Sequence, residues 1–231
     1  MRKGRILTDF ISLFYPRICI NCNRSLISRE EFLCLHCKLN LPTIAFQKIA
    51  SNHLYKRLQV IGNLNEVHSY LNFNKGGIAQ KLLHEIKYKG NEELGVRIGE
   101  WFGYYIFNKT IASNIDMIVP IPLHPTKRKR RGYNQSELIA RGLSESLKIP
   151  CETKLLKRTK YTSTQTKKGK TERWLNVKDI FKIDTNENLE NKHVLLVDDV
   201  ITTGATIESA AHLLNQYGVS RISIACIAAG R

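Results

Sequence analysis

The sequence contains no long apolar run and shows no convincing export signal. No stretch approaches the roughly 18 consecutive apolar residues of a membrane span, so we expect no membrane insertion. Arg2, Lys3 and Arg5 resemble the basic start of a signal peptide. The apolar stretch after them is short, is broken by Asp9 and ends without a small-residue cleavage site. These absences predict a cytoplasmic protein.

Acidic residues are few relative to basic ones. The chain has 36 Lys and Arg against 20 Asp and Glu, a net charge of +16. Residues 124–173 hold 15 Lys and Arg against 4 Asp and Glu, so this fifth of the chain carries a net +11. Such a concentration predicts a polyanionic partner, either a pyrophosphate-bearing ligand or a nucleic acid. A solvated basic face is the alternative interpretation.

The length and composition predict a folded protein with one main domain and a small appendage. The 231 residues are 42% hydrophobic, enough to bury a sizeable core. We predict a zinc-binding module with a preceding amphipathic helix in residues 1–45, a connecting region in 46–115, and the main domain in 116–231. The apolar face of the first helix is formed by Ile6, Leu7, Phe10, Ile11 and Phe14.

Four of the six cysteines are clustered as two CxxC pairs. Cys19 and Cys22 form the first pair, and Cys34 and Cys37 the second. This spacing predicts a tetrahedral four-cysteine zinc site that holds together a module too small for its own core. Two disulfides are the alternative, which a reducing compartment disfavours. His36 lies between the ligands and is a possible substitute for one of them.

The stretch 194–206, VLLVDDVITTGAT, combines a strand, two acids and a small hydroxyl-rich loop. The apolar run Val194–Val197 is typical of a strand covered on both faces, and Asp198 and Asp199 stand where it is expected to end. The loop that follows precedes a helix, so its backbone N–H groups suit a phosphate monoester. The two acids suit ribose hydroxyls, directly or through Mg²⁺.

Two other interpretations of this stretch are weaker. The acids could merely cap the next helix. A Walker B strand would require a Walker A loop, and the only Gly-Lys-Thr, at Gly169, has Thr164 where that pattern needs a glycine. The run instead resembles the phosphoribosyl pyrophosphate (PRPP) motif of type I phosphoribosyltransferases.

Alternating strands and helices predict an α/β fold with a twisted, mainly parallel sheet. We expect the carboxyl ends of its strands to gather the loops after Ile121, Thr159 and Val197 at one edge. Residues 124–135 are predicted as a basic loop, 160–173 as a long polar lid, and 181–191 as a polar connection. The remaining predicted strands are 68–73, 117–121, 155–159 and 221–228, and the predicted helices are 78–88, 92–107, 136–147 and 207–217.

The whole chain resembles the ComF family of competence proteins. Besides the cysteine pairs and the PRPP motif, the resemblance rests on Leu82–Gly90, on Val-Pro-Ile-Pro-Leu-His from Val119, and on Arg131-Gly-Tyr-Asn-Gln135. It also includes Arg158, Gln165, Arg173 and Asn176. The resemblance implies a type I phosphoribosyltransferase-like domain with an N-terminal zinc finger. It further implies a role in natural transformation, with single-stranded DNA and a competence helicase as partners.

As an enzyme, the protein would displace pyrophosphate from PRPP, and we assign roles on that basis. Asp198, Asp199 and Arg131 are the candidate catalytic residues, and Lys127 joins Arg131 at the pyrophosphate. The 5′-phosphate is assigned to Thr202, Thr203, Gly204, Ala205 and Thr206. The flexible loop would contribute Arg158, Gln165 and Arg173. The implied cofactors are structural Zn²⁺ and PRPP-bound Mg²⁺, and no residue pattern predicts the acceptor or the oligomeric state.

As a binding module, the same basic crevice would hold single-stranded DNA without catalysis. Two acids beside a phosphate loop would repel a DNA backbone, which favours the PRPP interpretation. The two functions are compatible if a phosphorylated ribose ligand regulates DNA handling.

Overall fold

A four-stranded parallel sheet lies at the centre of the molecule. The computed structural model describes residues 16–44, 53–107, 114–159, 180–185 and 187–229. The sheet has the order β1-β6-β5-β2, and every neighbouring pair is parallel. Its strands are β1 (Leu64–Asn72), β2 (Met117–Pro120), β5 (His193–Ile201) and β6 (Arg221–Ala229). A separate antiparallel pair consists of β3 (Leu156–Arg158) and β4 (Phe181–Ile183).

Helices cover both faces of this sheet. The helices are α1 (Leu35–Leu39), α2 (His53–Leu58), α3 (Ile78–Tyr88), α4 (Glu92–Phe107), α5 (Pro125–Arg131), α6 (Gln135–Leu147) and α7 (Ala205–Gln216). One core cluster joins α3, α4 and α6 to Leu195 and Val197 of β5. The other joins α2 and α7 to Val194 and Leu196 of the same strand. Because β5 is apolar toward both layers, its sequence lacks polar alternation.

The predicted α/β class, with a parallel sheet, is confirmed. The predicted bounds of α3 and α4 are confirmed, since apolar residues recur there at helical spacing. The N-terminal amphipathic helix and the predicted lid, residues 160–173, lie outside the described residues. None of the described helices is both long and apolar enough to cross a bilayer. The first strand, β1, comes from the predicted connecting region and pairs with β6 at the sheet edge.

Several local predictions were wrong. The strand predicted from residue 68 begins at Leu64. The two acids predicted to follow β5 lie within β5, because the pairing of this strand with β6 continues to Ile201. The predicted basic loop after Ile121 contains α5, whose first turn is capped by His124 and begins at Pro125. The predicted connection after residue 180 contains β4. The strand near Arg158 pairs only with β4, outside the parallel sheet.

Helices α4 and α6 approach each other most closely at two glycines. A Cβ atom added to Gly142 would lie 2.0 Å from the Val96 carbonyl oxygen, and one added to Gly99 would lie 2.2 Å from the Ile139 carbonyl oxygen. Both contacts involve backbone, which cannot rotate away as a side chain can. The absence of side chains at these positions therefore sets the distance between α4 and α6, which cover one face of the sheet.

We expect Gly142→Ala to lower the free energy of unfolding by about 1–3 kcal/mol, because the added methyl group overpacks this contact. Gly62→Ala is the matched control, since an added Cβ there meets nothing within 4 Å. Denaturant unfolding of the two metal-loaded variants measures the difference. Equal stability of both variants would contradict the close helix contact.

Candidate functional site

The acidic pair, Asp198 and Asp199, lies in β5 near the carboxyl edge of the sheet. Asp198 is opposite Cys226 of β6 in the ladder. Its Oδ1 atom accepts hydrogen bonds from the Ser136 hydroxyl at 2.9 Å and from the Asp199 amide at 2.8 Å. Burial, followed by the charge of Asp199, raises the pKa of Asp198 above its usual range. A cationic partner would therefore favour ionisation of both carboxylates.

The run from Tyr133 to Ser136, which leads from α5 into α6, braces this edge through three contacts. The Tyr133 hydroxyl donates to the Ile86 carbonyl at the end of α3. The Asn134 side-chain amide donates to the Ile121 carbonyl after β2 at 3.0 Å, and Ser136 reaches the acidic pair. This motif thus joins α3, β2 and β5 at one place. These contacts give Tyr133, Asn134 and Ser136 a positioning role at this edge.

Cationic side chains from separate elements surround the acidic pair. The Nζ atom of Lys87, on α3, lies 2.8 Å from Asp199 Oδ2. Burial and nearby positive charges, Arg158 first among them, lower the pKa of Lys127. Burial lowers the pKa of Arg158 on β3, while the negative charge of Asp198 opposes that shift. The mutual proximity of these cations produces a positive potential suited to a polyanion.

Helix α5 separates its cations into two groups. Lys127 and Arg131 are both partly buried, and their i,i+4 spacing places them on one helix face. The Arg131 guanidinium lies 5.6 Å from the centre of the exposed Tyr88 ring. Arg128, Lys129 and Arg130 are exposed. The inner face of α5 therefore faces the surrounding protein, while its outer face meets solvent.

The predicted phosphate loop follows β5 directly and leads into α7. Gly204 is the N-cap of α7 with φ of +90°, which favours glycine. Thr202, Thr203 and Ala205 are exposed, whereas Gly204 is buried. The first N–H groups of a helix have no intrahelical acceptors. This loop therefore offers donors and the positive end of the α7 dipole to an anion.

Helix α2 packs over the same loop. The Arg57 guanidinium donates to the Thr202 carbonyl. A Cβ added to Gly204 would lie 2.6 Å from Leu58 Cδ2, so glycine is also required for this contact. The loop is consequently held from a second element that is far from it in sequence.

The predicted site residues are distributed as follows. Asp198 and Asp199 lie together. Arg158 is within electrostatic range of Asp198, and Lys127 is within electrostatic range of Arg158. Arg131 lies one helical turn beyond Lys127. Gln165 and Arg173 lie outside the described residues. The phosphate-loop residues are Thr202, Thr203, Gly204, Ala205 and Thr206, between β5 and the first turn of α7.

Sequence reasoning missed the contributions of Lys87, Ser136 and Arg57. The position of Lys87 near the end of a predicted helix has a sufficient explanation in the helix dipole, so it indicates no partner in β5. Ser136 comes directly after the Arg131–Gln135 motif and is predicted only as the start of a helix. No sequence signal pointed to Arg57, because its partner is 145 positions away.

The donor chemistry of the acidic pair fits a hard divalent cation. Carboxylate oxygens are the ligands that Mg²⁺ prefers, usually one or two carboxylates with the substrate phosphates. The adjacent anion loop offers donors for those phosphates. The residues present therefore fit a metal bound together with a phosphorylated ligand.

The four cysteines of the N-terminal module form a metal-binding cluster. The sulfur atoms of Cys19, Cys22, Cys34 and Cys37 all lie within 4.8 Å of one another. Cys22 Sγ and Cys34 Sγ are 3.7 Å apart. A tetrahedron with Zn–S bonds of about 2.3 Å has edges of about 3.8 Å, so the spacing fits zinc. His36 is exposed and lies outside the cluster.

This module is anchored to the helical layer of the main sheet. Lys81 Nζ on α3 donates to the Asn21 carbonyl at 2.7 Å, and the Asn21 side chain donates to Cys37 Sγ at 3.4 Å. Lys38 lies 4.7 Å from the centre of the Trp101 ring on α4. The cysteine cluster is therefore connected by these contacts to α3 and α4.

The fold is that of a phosphoribosyltransferase-like domain. Residues 88–231 match the family model described as the phosphoribosyl transferase domain. The chain therefore belongs to the phosphoribosyl transferase domain family.

The chain is similar to proteins that are named for competence or for DNA utilization. Competence protein F of Haemophilus influenzae is 39% identical over 47% of this chain and 48% of its own length. The DNA utilization protein YhgH of Escherichia coli strain K12 is 28% identical, covering 63% and 65%. Competence protein ComFC of Bacillus subtilis is 34% identical, covering 60% and 54%. The matched regions span about half to two-thirds of these relatives.

Similar solved structures include two phosphoribosyl-related enzymes. A purine phosphoribosyltransferase from Pyrococcus horikoshii is 23% identical, over 55% of this chain and 70% of that chain, with a TM-score of 0.36. The glutamine phosphoribosylpyrophosphate amidotransferase of B. subtilis is 20% identical, over 58% of this chain and 26% of that chain, with a TM-score of 0.40.

We expect Cys34→Ser to reduce bound metal at least about tenfold, because a tetrahedral site loses one of its four thiolates. Cys151→Ser is the matched control, since Cys151 lies outside the cluster. Elemental analysis of purified, dialysed protein measures the metal content. Retention of one metal ion per chain by Cys34→Ser would contradict the four-cysteine site.

Proposed function

We propose that the chain binds PRPP together with Mg²⁺ at the carboxyl edge of the sheet and acts in DNA uptake. The observation that carries the proposal is the acidic pair between a phosphate loop and a group of cations. The family assignment supports a phosphoribosyl ligand, and the names of the competence relatives support the cellular role. Structural Zn²⁺ in the four-cysteine cluster is part of this proposal.

Each part of the site has a distinct role in binding. The loop from Thr202 to Thr206 would hold the 5′-phosphate through backbone N–H groups, and the acidic pair would position the ribose hydroxyls. Lys127 and Arg131, on one face of α5, would hold the pyrophosphate. Bound Mg²⁺ would supply charge neutralisation and orientation of the pyrophosphate oxygens. The loop and α5 would then hold the two ends of PRPP, the 5′-phosphate and the pyrophosphate.

If the protein is an enzyme, we assign it pentosyl transfer to an acceptor that the site does not identify. The bond from C1 to the pyrophosphate oxygen breaks, and pyrophosphate leaves with the electron pair. A bond from C1 to a nitrogen of the acceptor forms, and that nitrogen loses a proton. The protein's residues would contribute by orienting the reactants and neutralising the leaving group, without a covalent intermediate.

Single-stranded DNA binding is the second candidate, and the exposed face of α5 favours it. Lys129 and Arg130 are solvent-exposed, and Arg131 lies beside the exposed Tyr88 ring. A cationic surface next to an aromatic ring can contact phosphates and stack a base. This surface adjoins the PRPP site, so one protein can use both.

We expect Asp198→Asn with Asp199→Asn to weaken Mg-dependent PRPP binding at least about 100-fold, because the metal and ribose lose both carboxylates. The fold should persist, since burial already disfavours the ionised form of Asp198. Calorimetric titration of the zinc-loaded protein with PRPP, with and without Mg²⁺, provides the measurement. Glu187→Gln with Glu190→Gln removes two exposed acids as the control. Unchanged affinity in the Asp198/Asp199 variant would refute the assignment.

We expect Lys129→Gln with Arg130→Gln to weaken binding of a single-stranded oligonucleotide. The slope of log affinity against log salt should become shallower by about 1.4, since each lost phosphate contact contributes about 0.7. Fluorescence anisotropy at several salt concentrations measures this slope. Lys192→Gln with Arg221→Gln, at the amino edge of the sheet, removes the same charge away from the site. The same slope for both variants would exclude α5 as the DNA surface.

A further inference from the structure

Lys87 forms an ion pair with the acidic pair at the centre of the proposed PRPP site. Its Nζ atom lies 2.8 Å from Asp199 Oδ2, and the two side chains are only 23% and 14% exposed. The end of α3 that carries Lys87 is held by the Tyr133 hydroxyl on the Ile86 carbonyl. The ion pair between Lys87 and Asp199 is therefore held in place and partly shielded from solvent, where it is stronger than at an open surface.

The contact occupies an oxygen that a divalent cation would require. Asp198 Oδ1 already accepts hydrogen bonds from the Ser136 hydroxyl and the Asp199 amide. Lys87 neutralises the other acid through Asp199 Oδ2. A metal arriving alone would have to displace Lys87 or bind beside its positive charge. Either course disfavours metal binding to the ligand-free protein.

A polyanionic ligand changes this balance. Lys127 is within electrostatic range of other cations, among them Lys87, Arg131 and Arg158. Burial, and then the positive charges of these cations, disfavours the charged form of Lys127. Phosphate groups placed among them would attract the Lys87 ammonium group, and the flexible lysine side chain allows it to move while α3 stays in place. Asp199 would then be released to the metal.

We propose that Lys87 is a resident counter-ion of Asp199 that couples binding of the divalent cation to binding of the polyanionic ligand. In the ligand-free site, Lys87 takes the place of the metal's charge on Asp199. When the ligand binds, Lys87 transfers to its phosphate oxygens and the metal takes its place. This inference rests on the proposed PRPP function for the identity of the ligand. Because coupling is reciprocal, the ligand raises the affinity for the metal as much as the metal raises the affinity for the ligand.

The test uses Mn²⁺ as a spectroscopically visible substitute for Mg²⁺ on the zinc-loaded full chain. Free Mn²⁺ is measured by electron paramagnetic resonance in the wild type, Lys87→Met and Lys87→Arg. Lys89→Met is the matched control, since Lys89 lies two residues away and pairs with Glu85 instead. We expect Lys87→Met to bind Mn²⁺ alone about tenfold more tightly and Mg-PRPP about tenfold more weakly, within the usual range of coupling. Lys89→Met should remain close to the wild type, whereas Lys87→Arg, which keeps the positive charge, should bind Mn²⁺ alone less tightly than Lys87→Met.

Two further arms separate the possible failures. Adding Asp198→Asn and Asp199→Asn to Lys87→Met should abolish the gain in Mn²⁺ affinity, which assigns the gain to the acidic pair. Unchanged Mn²⁺ affinity in Lys87→Met would overturn the counter-ion role. If the wild type binds no PRPP but Lys87→Met still gains Mn²⁺ affinity, the proposed function fails while the counter-ion role stands. If Lys87→Met loses affinity for Mn²⁺ and PRPP alike, Lys87 only supports the local structure and the proposal is wrong.

Discussion

The placement of two adjacent carboxylates at the end of a buried strand constrains the surrounding structure. Burial first, and then the charge of Asp199, disfavours ionisation of Asp198 and raises its pKa. The protein compensates with a hydroxyl and an amide donor on Asp198 and an ammonium group on Asp199. These groups come from α6, β5 and α3. The arrangement of helices around this edge is thus tied to the charge that it must accommodate.

Local sequence patterns predicted the parts of the fold that depend on local periodicity. The bounds of α3 and α4 followed from apolar residues at helical spacing, and the start of β5 followed from its apolar run. The end of β5 could not be predicted in this way, because pairing with β6 carries the strand through Asp198 and Asp199. Helix α5 has no apolar periodicity in its run of cations, and only Pro125 after a capping residue indicated a helix.

The site likewise contains residues that local sequence identifies and residues that only folding brings together. The acidic pair and the phosphate loop are contiguous in sequence, so their order and spacing identified them. Lys87 and Arg57 reach this place only through folding, since their partners Asp199 and Thr202 lie more than 100 residues away. A lysine near a helix C-terminus has an adequate explanation in the helix dipole. Only the distance between Lys87 Nζ and Asp199 Oδ2 indicates that Lys87 also pairs with the acidic pair.

The helical state of α5 has a consequence for both candidate functions. A flexible basic loop could place any of its cations on one anion, so a small ligand and a nucleic acid would compete for all of them. In a helix, Lys127 and Arg131 share one partly buried face, whereas Lys129 and Arg130 stay exposed. A strand of DNA on the exposed face would keep its phosphates away from Asp198 and Asp199, which repel them. The helix therefore lets an exposed basic surface adjoin the acidic pair without either charge cancelling the other.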